Sequence, residues 1–294
     1  MKKKREVLFM KIPRIAGEYR PLFRPERFGN YVNDHAIVRD ANGMWHLFGI
    51  TSFTGGAYNE RYFVHGGGNT LTGEFTEWNK VIDRGTLAWS PGVILREDGH
   101  LWMLYGPSPT MLSVSPDGNE WFCYLPRIEG EPPMAVHRDH FVMEVEPGRY
   151  LLYVTGVLNK RGCISVLSSE NMTDWKFLGY ALTSGERAPL TPAWGAMESP
   201  YVVKRDGLYY LFVTYTDCSA ATYNNTLVFV SEDPLHFGCY MGDGEDGVMP
   251  ITKVYAHAPE ILEEDGQMYI TTCGWNGAPN PNPGCVSIAP LVFE

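Results

Sequence analysis

Polar and apolar positions recur along the chain in one repeated order. In NDHAIVRDANGMWHLFGITS, beginning at Asn33, a polar mouth leads into an apolar run, a charged turn and a second run rich in aromatics. Such short alternating runs around a turn read as strand, turn, strand. Four further stretches follow the same plan: SPGVILREDGHLWMLYGPSP from Ser90, RDHFVMEVEPGRYLLYVTGV from Arg138, ESPYVVKRDGLYYLFVTYTD from Glu198 and APEILEEDGQMYITTCGWNG from Ala258. Each turn carries a glycine (Gly43, Gly99, Gly148, Gly207, Gly266) where a hairpin needs a positive φ.

Several hairpins are trailed by a second recurring piece. These are LTGEFTEW from Leu71, SPDGNEWFCY from Ser115, SSENMTDWKFLGY from Ser168 and SEDPLHFGCY from Ser231, each reading as a third strand, a turn and an outer strand. Four short antiparallel strands repeated five times predict an all-β chain folded as a five-bladed β-propeller, with residues 1–294 as a single domain. A β-sandwich also has many strands but gives no reason for one hairpin to recur five times. Residues before Tyr31 and the last strand, Cys285 to Phe293, are expected to share a blade and close the ring.

Composition narrows the partners. The 34 acidic residues exceed the 24 basic ones, and the only basic run is Lys2 to Arg5, so no nucleic acid is expected to bind. The apolar run Val7 to Met10 is too short for a signal peptide, and no stretch approaches a bilayer span, so a cytoplasmic chain without membrane contact is expected. The six cysteines show no C-x-x-C spacing and are expected to be reduced and mostly buried.

In a propeller the first strand of every blade lines the axis and starts from the same face, so residues at the five entrances converge. Here they are Asp34, Ser90, Asp139, Glu198 and, in the fifth blade, His257 with Glu260 nearby. One carboxylate alone often caps its own turn. Three around one axial pocket repel each other and raise at least one pKa, as a general acid requires. Two carboxylates across an anomeric carbon are the minimum for cleaving a glycosidic bond. Trp89, Trp194, Trp275, Tyr31 and Tyr58 supply flat faces suited to sugar rings.

These residues resemble a known group. Asn33-Asp34 in YVNDHA, Arg138-Asp139 in HRDH and Glu198 in MESP are similar, in order, to the three acidic motifs of the five-bladed furanosidases of glycoside hydrolase families 32, 43, 62 and 68. His35 and His140 replace the prolines of the family-32 motifs, and WSPGV resembles a family-43 motif with Gly92 replacing its Asp. The resemblance implies Asp34 as base or nucleophile, Asp139 as transition-state stabiliser or pKa modulator, and Glu198 as general acid. A single-domain family-43-like enzyme is expected, inverting, with a small furanose- or pentose-containing oligosaccharide as substrate. Asn33, His35, Trp89, Arg138, His140, Trp194, His257 and Trp275 are the expected substrate-binding residues.

No cofactor is required by this chemistry, and spacing alone identifies no metal ligands. Some family-43 propellers carry an axial calcium near a fifth-blade histidine, so the resemblance also implies that His257 approaches such an ion through water. HGGGNT from His65 lacks the strand-to-helix setting of a phosphate cradle and is read as a mobile loop at the pocket rim. Rival readings are a non-catalytic propeller binding a glycan or protein, a related sugar transferase, and an enzyme using a histidine acid as the anhydro-galactosidases are thought to do. Sugar, linkage and oligomeric state are left open.

Overall fold

A computed structural model describes residues 9–130, 135–186, 188, 196–242 and 247–294. Five antiparallel sheets follow one another along the chain. Blade 1 runs His35–Arg39, Trp45–Ile50, Phe63–Gly68 and Thr76–Val81; blade 2 runs Trp89–Leu95, Leu101–Gly106, Met111–Ser115 and Phe122–Tyr124. Blade 3 comprises Ala135–Glu146, Arg149–Leu158, Arg161–Ser169 and Asp174–Ser184, with two short strands added in parallel to its outer edge. Blade 4 comprises Met197–Arg205, Leu208–Tyr215, Asn225–Ser231 and Thr252–Tyr255. In blade 5, Ile261–Glu264 and Gln267–Thr272 precede Val286–Phe293, on which the N-terminal strands Pro13–Ile15 and Arg20–Phe23 pair. That pairing closes the ring as expected.

The core makes the arrangement cyclic. Its apolar residues fall into five clusters, and each joins two neighbouring blades. Phe48 and Phe63 of blade 1 pack with Leu101 and Met103 of blade 2, and Leu104 and Leu112 pack with Leu152 and Trp175 of blade 3. Tyr153 and Ile164 then meet Met197 and Leu211 of blade 4, Phe212 and Val228 meet Ile270 and Ala289 of blade 5, and Val286 and Ile288 return to Leu47 and Val64 of blade 1. A blade therefore buries both faces against neighbours, which is why its middle strands are buried throughout rather than at alternate positions. Trp45–Ile50 and Leu208–Tyr215 are buried at every position.

Local chemistry fixes the turns. Asp206 and Gly207 have φ of 50° and 83°, and the two residues join Arg205 to Leu208 as a tight hairpin whose two positive φ values follow the strand twist. The second recurring piece is one turn used twice. Ser115 Oγ accepts from the amides of Asp117 and Gly118 while Trp121 Nε1 donates to Gly118 O; Ser169, Asn171, Met172 and Trp175 repeat those bonds.

Two expectations change. His65-Gly66-Gly67-Gly68 is no rim loop but part of the third strand of blade 1. Its glycines answer to crowding, since a Cβ on Gly67 would come within 2.0 Å of Trp45 O and 2.6 Å of the Trp78 ring. Of the six cysteines only Cys163, Cys273 and Cys285 are buried; Cys123 and Cys239 sit on short outer strands and Cys218 in a loop that lines the central cavity.

Candidate active site

The first strands do not begin as regular β structure. Ser90, Asp139, Ser199 and Ala258, at equivalent places in blades 2 to 5, have φ of 46°, 57°, 51° and 45°. In blades 2, 3 and 4 the pairing register slips at this place, between Trp89 and Gly92, Arg138 and Phe141, and Glu198 and Tyr201. In a regular strand consecutive side chains point to opposite faces, and a bulge changes that direction. Both Trp89 and Ser90, and both Arg138 and Asp139, consequently line one axial cavity of about 420 Å³.

This geometry sorts the entrance residues into two rungs. Asn33, Trp89, Arg138, Glu198 and His257 form one, and Asp34, Ser90, Asp139, Ser199 and Ala258 the next. The sequence alignment set Glu198 level with Asn33 and Arg138, as the structure does, but set Ser90 and Ala258 there in place of Trp89 and His257. Asn33, Asp34, Trp89, Arg138, Asp139, Glu198, His257 and Trp275 all line the cavity, as does Tyr58.

A continuous network ties the three acids together. Ser90 Oγ lies 2.7 Å from Asp34 Oδ2 and 2.6 Å from Asp139 Oδ1. One hydroxyl has one proton to give, so both contacts are satisfied together only when a carboxyl supplies the other proton. Asp139 is the poorer holder of it, since its Oδ2 is paired with Arg138 Nη1 and accepts from Ser199 N at 3.1 Å. Arg138 Nη2 reaches Glu198 Oε2 at 2.6 Å, so one guanidinium spans the acids of two blades.

Burial and charge then separate the three groups. All are less than a tenth exposed. Burial, with repulsion from Asp139, pushes Asp34 up to about 7. Burial raises Glu198 to about 7 as well, against the pull of Arg138. For Asp139 burial is outweighed by Arg138 and by the bonds from Ser90 and Ser199, and its carboxyl stays below the ordinary range. The pocket therefore holds one committed carboxylate beside two carboxyls whose pKa values are raised toward neutrality.

The histidines divide. His257 lines the cavity; its Nδ1 lies 2.9 Å from Tyr223 O and its ring stacks on Tyr223 at 4.1 Å. Burial holds its pKa below the usual value. His35 and His140 follow the second rung and turn away from the pocket into a smaller cavity of about 30 Å³ beneath the acids. There they bond Thr271 Oγ1 at 2.8 Å and Thr110 Oγ1 at 2.9 Å, with burial lowering each to about 3. Substrate contact by these two, expected from sequence, does not match that placement. Trp194 lies outside the described residues. Among the described residues no three His, Cys, Asp or Glu groups come together in a way that would hold a metal ion.

Sequence reasoning missed Glu60. It follows the short 3-10 turn Ala57–Asn59, belongs to no repeat, and lines the pocket while only 1% exposed. Its neighbours in YNERY are polar, so nothing in the local pattern marks it as buried.

No protein-family profile matches the chain, and no curated protein matches it by sequence. Solved structures do match. The fold is that of the five-bladed propeller glycoside hydrolases, and the structural neighbours belong to families 32, 43 and 62. A family-32 β-fructofuranosidase from Bombyx mori superposes with a TM-score of 0.66 at 17% identity, covering 95% of this chain and 66% of that one. The chain thus spans about two thirds of that enzyme's length. A thermostable family-43 glycoside hydrolase gives 0.64 at 15% identity over 92% of both chains. A family-43 enzyme from Xanthomonas citri, solved with xylotriose, gives 0.62 at 13% identity over 94% of this chain and 89% of that one.

Proposed function

We propose that the protein is a glycoside hydrolase that cleaves a short oligosaccharide containing a furanose or pentose, with inversion at the anomeric carbon. The observation that carries the proposal is the Asp34–Ser90–Asp139–Arg138–Glu198 network on the wall of one cavity. Glu198, protonated near neutrality, gives its proton to the glycosidic oxygen as the bond to the anomeric carbon breaks. A water attacks that carbon from the opposite face and passes its proton to Asp34. Asp139 stays ionised beside Arg138 and stabilises the positive charge that develops on the sugar ring. Return of the proton from Asp34 to Glu198 through solvent restores the site.

The raised Asp34 supports a base rather than a nucleophile, because a base works best when its pKa lies near the operating pH. Support for a small oligosaccharide comes from the cavity volume, from Trp89 and Trp275 on its wall, and from neighbours whose structures hold sucrose and xylotriose.

A panel of aryl furanosides and pyranosides tests the reading. Hydrolysis of at least one is expected, with the inverted anomer released first by NMR. E198A and D34N should each lower turnover about a hundred- to ten-thousand-fold while the circular dichroism spectrum is kept. Unchanged turnover in E198A would reject Glu198 as the acid. A wild type that binds sugars and hydrolyses none would make the propeller a binding module.

A further inference from the structure

One wall of the cavity is not used by this mechanism. Glu60 Oε1 accepts from Tyr31 Oη at 2.9 Å, and its backbone oxygen accepts from Ala88 N at 2.9 Å, fixing the residue beside blade 2. The indole nitrogens of Trp89 and Trp275 are buried and close no hydrogen bond, yet both lie near enough to Glu60 to help hold its proton affinity down against the rise caused by burial. Asn33 Oδ1, also buried, has no partner either. The buried polar atoms left unpaired on this wall, the two indole N–H groups and Asn33 Oδ1, cost free energy unless something satisfies them.

The charge of the pocket says what that something is. Asp34, Glu60, Asp139 and Glu198 line it, and Arg138 is the only Lys or Arg among the described lining residues. Arg138 already pairs with two of the acids. An anionic ligand would find carboxylates and no uncommitted cation, whereas sugar hydroxyls are donors that match carboxylate oxygens.

Resting on the sugar-cleaving reading for the class of ligand, we infer that Glu60 is a substrate-recognising residue outside the catalytic set. It accepts hydrogen bonds from hydroxyls of a neutral sugar ring held against Trp89 and Trp275, and the same wall turns away sugars bearing phosphate or carboxylate. Glu60 thereby sets specificity without touching the bond that breaks.

Tryptophan fluorescence, reporting on Trp89 and Trp275, reads binding whether or not hydrolysis occurs. The probes are D-fructose, L-arabinose, D-xylose and D-galactose, with D-fructose 6-phosphate and D-galacturonate as anions. The wild type should bind at least one neutral sugar, and bind its anionic counterpart about tenfold more weakly or worse; E60Q should lose about tenfold in affinity for the neutral sugar. On a hydrolysed substrate E60Q should raise KM and leave kcat within about threefold. If E60Q does not fold, Y31F, which keeps the carboxylate and removes its tether, should weaken binding severalfold. Neutral-sugar binding unchanged in E60Q, or unchanged in Y31F where E60Q does not fold, overturns the inference, as does anion binding equal to neutral binding, or a wild type that binds no neutral sugar. Binding that depends on Glu60 without hydrolysis of any panel member would end the hydrolase proposal and leave this inference standing.

Discussion

The inner strands use the same backbone conformation at both ends, with different residues. At the hairpin end Gly99 has a φ of 80° with nothing within 4 Å of where a Cβ would stand, so glycine is there for the angle alone. At the axial end Ser90 and Asp139 take φ of 46° and 57°, where a side chain costs roughly 1–2 kcal/mol per residue. Glycine would be easier on the backbone there too. It would also remove the hydroxyl and the carboxylate around which the pocket is organised. At Ser90 and Asp139 the chain keeps a strained residue for its chemistry, and at Gly99 it keeps glycine for the turn alone.

Substitutions at Ser90 sharpen this contrast most. S90A and S90G both leave Asp34 and Asp139 without the hydroxyl between them, and each should lower turnover about ten- to a hundredfold. Only S90A keeps a Cβ in the left-handed conformation. S90G should therefore be the more stable of the two by about 1 kcal/mol in urea unfolding, and equal stability would remove the claim of strain.

D34N separates function from stability. The folded pKa of Asp34, about 7, is above its ordinary value of 3.8, so between those values the folded state holds a proton that the unfolded chain has lost. Wild-type stability should fall as pH rises through that window, and D34N should lose the part of the fall due to Asp34 while keeping the part due to Glu198. At pH 8 the inactive D34N should unfold about 1–3 kcal/mol later than wild type, with the advantage gone near pH 4. A variant less stable at pH 8 would contradict the burial argument.

The smallest effects lie away from the acids. G99A should lose about 1 kcal/mol and keep full activity, because a side chain enters a left-handed turn and nothing else changes. A258G, at the non-catalytic left-handed position of blade 5, should gain a few tenths of a kcal/mol, the relief of strain being offset by a freer unfolded chain. A loss of activity in G99A would tie the two ends of the strand together in a way the contrast does not allow.

The hairpin repeat was legible because each blade must solve the same problem, a strand, a turn with positive φ and an aromatic strand, with a local stretch of sequence. The acids Asp34, Asp139 and Glu198 were legible for the same reason, standing at equivalent ends of that repeat. The two rungs were not, because a bulge is a slip between paired strands and neither strand records it alone. His140 was misplaced as a consequence, since the direction of the residue after Asp139 depends on that slip, whereas His35 opens a regularly paired strand and points away from Asp34 by simple alternation. His65-Gly66-Gly67-Gly68 misled because glycine demanded by crowding from Trp45 and Trp78 looks, in sequence, like glycine demanded by a loop. Glu60 lies outside the repeat, where periodicity carries no information.

The central claim is that Glu198 and Asp34 share a proton near neutrality while Asp139 stays ionised, and the pH dependence of kcat/KM tests it most directly. On the best substrate of the panel the wild type should give a narrow bell centred near 7, where Glu198 is protonated and Asp34 is not. E198Q should lose the descending limb and D34N the ascending one in their residual activity. A wild-type profile flat across about pH 5 to 9, or one that neither substitution changes, would contradict the account.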